Sequence, residues 1–239
     1  ARDRSVALVL EAMGWALLGA SSLLIGALIA FAVRIGDRLL GFILAFGAGV
    51  LISAVAYELV EEAVSVAADR YAIAGGFVAG ALVFFAGDVW IEKRLGRREA
   101  THGLAIVLGA VLDGIPESVV IGASLLTGDQ ASVAVIVAVF LSNVPESISA
   151  SNDLVRGGWS KRNVFLLWTG VVITSTLASG LGYVLLKDSS GDWIAAIQAF
   201  AAGAILTMLS DEMIPEAFEY SDHNKIVGLA VALGFALSA

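Results

Sequence analysis

No cysteine occurs among the 239 residues, so neither a disulfide framework nor a thiolate metal site is open to this chain. Charge is scarce as well. Asp, Glu, Lys and Arg make up 15% of the residues, against roughly 25% in a soluble domain. There are two histidines, His102 and His223. The sequence contains no G-x-x-x-x-G-K-[ST], which leaves no evident ATP-driven step, and no H-E-x-x-H or Ser-His pair within one membrane layer, which argues against an intramembrane hydrolase. A net charge of -8 gives no reason to expect nucleic acid as a partner. What is plentiful is apolar surface, with 59% hydrophobic residues and a mean hydropathy of +0.90.

Apolar runs fall at about 5–33, 39–63, 71–91, 102–127, 131–155, 163–187, 193–218 and 225–239. Most are long enough to cross a ~30 Å hydrocarbon core as helices, and none has the short alternating pattern of a barrel strand. The expectation is therefore an all-α, polytopic membrane protein of eight transmembrane helices in a single domain, residues 1–239. The chain opens on Ala-Arg-Asp, and its first apolar run is too long for a cleaved signal peptide. The last run, KIVGLAVALGFALSA, is short for a span; either it tilts little and stops near the interface, or the native protein continues past Ala239.

The positive residues set an orientation. Arg34, Arg38, Lys93, Arg94, Arg97, Arg98, Arg156, Lys161, Arg162 and Lys225 fall on one side of an eight-span arrangement, against Arg2, Arg4, Arg70 and Lys187 on the other. The richer side is expected in the cytoplasm of a cell membrane, with both termini extracytoplasmic; a bacterial inner membrane suits so short a form.

Two internal matches add to this. AFGAGVLISAVAYELVEEA (45–63) aligns without a gap on AFAAGAILTMLSDEMIPEA (199–217), laying Phe46 on Phe200, Gly49 on Gly203, Glu58 on Glu212 and Glu62 on Glu216. GAVLDGIPES (109–118) aligns on AVFLSNVPES (138–147), with Pro116 over Pro145 and Glu117 over Glu146. Each match joins spans of opposite direction. That is the pattern of inverted-topology repeats, spans one to three against six to eight and span four against five, and in transporters the substrate site lies at the repeat interface near the midplane.

Glu117 and Glu146 sit near the middle of their spans, where an isolated charge costs about 2.5–3.5 kcal/mol on insertion scales. They need protons, partners or metal. Asp113 lies four residues before Glu117 and Ser142 four before Glu146, while Asn143 lies three before Glu146, so these side chains are expected on one seam. Pro116 and Pro145 donate no backbone hydrogen bond and would free the carbonyls of Leu112 and Leu141. Asp113, Glu117, Ser142, Asn143 and Glu146 together form an oxygen-rich set suited to a divalent cation. The same acids would also serve a proton relay, a structural hydrogen-bond cluster or a proton-coupled carrier of a small organic solute, and Ser142 has the alternative of bonding back to its own helix. Glu58 and Glu62 near one end of span two, and Glu212 and Glu216 near the opposite-facing end of span seven, are candidate pathway residues that would concentrate cations at the two mouths. His223 is a further pathway candidate. Solvated helix ends are the plainer reading for each, and Asp88 reads as interfacial.

These features together resemble the ZIP (Zrt/Irt-like protein) family of divalent metal-ion transporters. The resemblance rests on the eight spans, the paired PES segments, FGAGVLISAVAYELVEEA and FAAGAILTMLSDEMIPEA, and covers nearly the whole chain. It implies uptake of a divalent cation into the cytoplasm, zinc first, with no cofactor beyond that metal and no enzymatic step. It also implies a metal site between spans four and five, an elevator-type motion of spans 1, 4, 5 and 6 against 2, 3, 7 and 8, and a homodimer in the bilayer. Where the family commonly has His-Asn before the span-four Glu, this chain has Asp113 and Gly114. Thr174 and Ser175 stand near the place of a span-six Glu found in many members, so a single metal position is expected. A His-rich loop is replaced by EKRLGRREATHG. Without nitrogen or sulfur ligands the central set is hard, which keeps manganese, iron(II) and cadmium open beside zinc.

Overall fold

A computed structural model describes the backbone of residues 2–94, 111, 114–123, 125–126 and 133–238. Among the described residues all regular structure is helical: α1 (Arg2–Ala32), α2 (Asp37–Val66), α3 (Arg70–Arg94), α4 (Gly114–Ala123), α5 (Val133–Arg156), α6 (Lys161–Leu186), α7 (Gly191–Tyr220) and α8 (Ile226–Ser238). Six of them, α1, α2, α3, α5, α6 and α7, are long and apolar enough to cross a membrane. With 13 residues, α8 is shorter, and reaches about 20 Å at 1.5 Å per residue.

Local signals account for the ends. After Arg156, Gly157 and Gly158 stop α5, Gly158 with a φ of 91° that side chains disfavour. The Ser160 hydroxyl then accepts a bond from the Asn163 N–H at 3.2 Å and starts α6. Asp37 and Asp192 lie in the first turns of α2 and α7, where the helix dipole favours an acid.

Neither α2 nor α7 is regular throughout. Each contains a π-helical stretch, Val55–Val60 in α2 and Leu209–Met213 in α7. The alignment that lays Phe46 on Phe200 lays these stretches on each other, with Glu58 and Glu212 in equivalent places. A wider turn of this kind costs helical regularity and is frequent at functional sites.

The same register recurs in the packing. A Cβ on Gly203 of α7 would strike the Phe77 carbonyl of α3, and one on Gly49 of α2 would strike the Val231 carbonyl of α8. Likewise Gly80 of α3 abuts the Phe200 carbonyl, and Gly234 of α8 abuts the Phe46 carbonyl. Absent side chains let these backbones meet directly, as small residues do between membrane helices. Val66 meets Gly191 at one end of the α2–α7 pair and Gly41 meets Ala217 at the other, so these two helices run antiparallel.

Two sets of helices result. In one, α3 packs on α7, α8 on α2 and α2 on α7. In the other, α1 packs along α5 and α6, while Gly122 of α4 fits against the Ser179 carbonyl of α6. The sets meet where α2 crosses α5, with Gly47 against Ser142. Large apolar side chains such as Leu82, Phe85, Leu181 and Leu185 remain exposed on the outer helix faces, as suits a polytopic membrane protein.

Candidate functional site

Glu117 of α4 and Glu146 of α5 line one small cavity of about 10 Å³ with Asn143, Ser118, Gly114 and Ser175. Glu117 is 5% exposed and Asn143 6%. Two carboxylates from different helices therefore reach the same buried point, close enough for Glu146 to act electrostatically on Glu117. Several side chains are disposed by the backbone next to it. Pro145 lies inside α5, one residue before Glu146. Gly26 of α1 fits against Val144 and Ser147, which holds α5 close to α1 beside the acids. Ile121, one turn beyond Glu117, and Val139, one turn before Asn143, wall the cavity together with Ala16.

The seam expected from spacing is only partly what the structure builds. Asn143 lines the cavity. Ser142 does not: its hydroxyl donates back to the Val139 carbonyl at 3.1 Å, and its backbone packs on Gly47 of α2. Adjacent helical residues point about 100° apart, so Ser142 and Asn143 cannot share a face. Asp113 lies outside the described residues, as does His102. Of Thr174 and Ser175, the second faces the cavity, whereas Thr174 is exposed and bonds back to Gly170. In the sequence Ser175 stands out only by its position, and the turn-by-turn phase of α6 is what brings it in. Among the described residues no three His, Cys, Asp or Glu side chains form a group that could hold a metal ion.

Acids continue from this cavity toward the end of the bundle that carries Arg38 and Arg156. Glu146 is within electrostatic reach of Glu212 and Glu216 on α7. The Ser149 hydroxyl of α5 donates to Glu216 and pairs with the Tyr220 hydroxyl at 2.8 Å. Beyond Glu216 an open cavity of about 480 Å³ is bordered by Asp37, Asp153, Glu219 and Asp222. Two arginines offset part of that charge: Arg156 meets Asp153 at 3.7 Å and Asp37 at 3.8 Å, and Arg38 meets Asp222 at 3.6 Å. Glu212 faces Asp88 of α3, which is partly exposed near the end of that helix. His223 sits exposed in the turn after α7, with φ 54°, and does not border the cavity.

Glu58 and Glu62 lie at the opposite end, near each other and apart from the Glu146–Glu216 run. Glu62 faces Gln198 of α7, a residue that no sequence pattern singled out.

The fold and the site define a multi-helix membrane protein with acids buried at the meeting of two helices. No family model matches the chain. It is similar to a protein of Arabidopsis thaliana that carries the name "putative zinc transporter", with 23% identity over 220 residues, or 86% of this chain. The chain spans about a third of the length of that relative, 34%.

Proposed function

We propose that this protein is a membrane transporter that moves a divalent metal cation into the cytoplasm by alternating access, not an enzyme. The observation that carries the reading is the convergence of Glu117 and Glu146, from two helices, on one buried cavity with Asn143 and Ser175. Buried carboxylates at such a place need a counter-charge, and a cation supplies it. At about 10 Å³ the cavity is the size of one water or one ion. That size favours a metal over the runner-up, a proton-coupled carrier of a small organic solute, and nothing in the donor set suggests the third reading, an intramembrane hydrolase.

The similarity to the Arabidopsis protein, together with the resemblance to the ZIP family, puts zinc first. Manganese, iron(II) and cadmium follow, because the described donors are all oxygens. In this reading Asp113 completes the donor set and Glu117, Asn143 and Glu146 hold the ion, with Ser175 beside them and Ser142 as a weaker candidate. The chain would have eight spans, α4 and α8 included, built as inverted repeats. Both termini would be extracytoplasmic, which makes the arginine-bearing end cytoplasmic. The set α1, α4, α5 and α6 would move as an elevator against α2, α3, α7 and α8, in a homodimer. Glu212 and Glu216 would line the exit, and Glu58 and Glu62 the outer mouth.

The test is zinc uptake into proteoliposomes by the parent, Glu117→Ala and Glu146→Ala, with elemental analysis of the purified protein. The expected outcome is stoichiometric metal on the parent and flux that falls to background in both variants. Unchanged flux in both would overturn the site assignment, and a parent that carries no metal would favour the organic solute.

A further inference from the structure

Gln198 is fully buried in α7, and neither its amide nitrogen nor its amide oxygen makes a hydrogen bond of good geometry, the Glu62 carboxylate being the polar group it leans on. Among the described residues only the Ser53 hydroxyl shares that condition. An amide without a well-formed hydrogen bond in an apolar span is costly, so its retention calls for a cause. Packing does not supply one. The alignment of the two long helices lays Gln198 on Leu44, which is equally buried at the matching place in α2. Leucine has similar volume and would fill the position without an unmet polar group.

What differs is the neighbour. Gln198 faces the Glu62 carboxylate of α2, and Glu62 in turn feels Glu58, which lies one turn away in the π-helical stretch. The ends of these helices are fastened together just above. Asp192 accepts bonds from the N–H groups of Ala68 at 2.7 Å and Asp69 at 3.0 Å, and a Cβ on Gly191 would lie 2.6 Å from the Val66 carbonyl. Counting down from that junction at 1.5 Å per residue puts Glu62 about 6 Å and Gln198 about 10 Å below it. Both therefore lie shallow in the bundle, and Glu62 is only half-buried. The equivalent acid of the other half, Glu216, has a different partner, the Ser149 hydroxyl. The two halves have diverged at this point, and the amide is present in one only.

We infer that Glu62 and the side-chain oxygen of Gln198, assisted by Glu58, form a second binding site for a divalent cation, near the end of the bundle opposite Arg38 and Arg156 and separate from the central cavity. A carboxylate and an amide carbonyl are hard oxygen donors that suit a divalent cation, with waters completing its shell on the half-buried Glu62 side. Such a site holds its ion weakly and releases it readily, which suits capture ahead of the central acids. The ion would take the amide oxygen's lone pair and relieve the repulsion between Glu58 and Glu62. No residue of this site lines the Glu117–Glu146 cavity. The inference rests on the transporter reading for its place in a transport cycle, though not for the binding itself.

The experiment is calorimetric titration of the purified chain with zinc, and again with manganese, in a background carrying Glu117→Ala and Glu146→Ala. Adding Gln198→Leu, the residue that the other half uses, is expected to weaken the remaining binding tenfold or more. Glu62→Gln is expected to do the same, and it serves as the second variant should Gln198→Leu fail to fold. In the otherwise intact protein, Gln198→Leu is expected to raise the apparent KM for zinc uptake five- to tenfold, with the maximal rate within about twofold. Equal titrations with and without Gln198→Leu, or a Gln198→Leu protein that only melts higher at unchanged KM, would overturn the site in favour of a structural amide. A parent without zinc flux whose titration still responds to Gln198→Leu would overturn the transporter reading and leave this site standing.

Discussion

The Ser149 hydroxyl of α5 donates a hydrogen bond to the Glu216 carboxylate of α7, and the same oxygen meets the Tyr220 hydroxyl at 2.8 Å. This cluster ties two helices that otherwise belong to different packing sets. It also stands between the Glu117–Glu146 cavity and the open cavity at the arginine-bearing end. A tie in that position has to break whenever the sets shift against each other.

Ser149→Ala is therefore expected to loosen the α5–α7 contact. A hydrogen bond to a charged group contributes about 1.5–3 kcal/mol, or roughly tenfold or more in a local opening equilibrium. Hydrogen–deuterium exchange over 146–156 and 214–220 should quicken by that factor, while α3 is unchanged. Metal uptake should not fall, because the Ser149→Ala variant would lack only the tie. A tenfold loss of uptake would place the hydroxyl in the ion path instead.

The glycine contacts carry a stability prediction. Gly80 and Gly234 occupy matching places and each abuts a carbonyl of the neighbouring helix, whereas a methyl group added to Gly14 would meet nothing within 4 Å. Gly80→Ala and Gly234→Ala should each cost about 1–3 kcal/mol through overpacking. Gly14→Ala should be neutral or slightly stabilising, since alanine is the better helix former. Thermal unfolding in detergent checks this, and equal midpoints for Gly80→Ala and Gly14→Ala would sink it.

Hydropathy made the helices legible, and the boundaries expected for α2, α3, α5, α6 and α7 fall within a few residues of those found. Apolar run length depends on composition alone, which one sequence contains. The two π-helical stretches were not legible, because an extra residue in a turn leaves no mark on hydropathy. Their matching places became meaningful only beside the sequence repeat. Within the site, Glu117 and Glu146 were legible from the paired PES segments, since an acid in an apolar run is conspicuous. Ser175 and Gln198 were not, since a serine or glutamine inside a helix says nothing about which way it faces. That phase depends on which neighbour each helix packs against.

Phase also separates two residues that spacing had grouped. Ser142→Ala should leave metal uptake within about twofold, because the hydroxyl is spent on the Val139 carbonyl at 3.1 Å and lines no part of the cavity. Asn143→Ala should weaken metal binding tenfold or more by removing an amide oxygen from the cavity wall, a loss comparable to one buried polar partner at about 1–3 kcal/mol. Zinc titration of the two purified variants decides the matter, and the reverse ranking would require α5 to turn by about 100° in the ion-bound state.

The absence of cysteine allows single thiols to report on access from either side of the membrane. Ala68 is exposed at one end of the bundle and Glu219 at the other, beside the 480 Å³ cavity. Ala68→Cys and Glu219→Cys in oriented vesicles should react with an impermeant maleimide from opposite faces, Glu219→Cys from the cytoplasmic one. Val139→Cys is the informative third position. It lies on the wall of the central cavity one turn from Asn143, packed with Ile121 and Ala16, and is 5% exposed. On the proposed transport reading, the acids that run from Glu146 to Glu216 lead to the end that carries Arg38 and Arg156, and Val139 would close the path to the other. Val139→Cys should then be unreactive from the Ala68 side in the absence of metal, and zinc, if it drives the proposed cycle, should raise its labelling from that side. Prompt labelling of Val139→Cys from the Ala68 side without metal would mean that the resting protein opens to the other face.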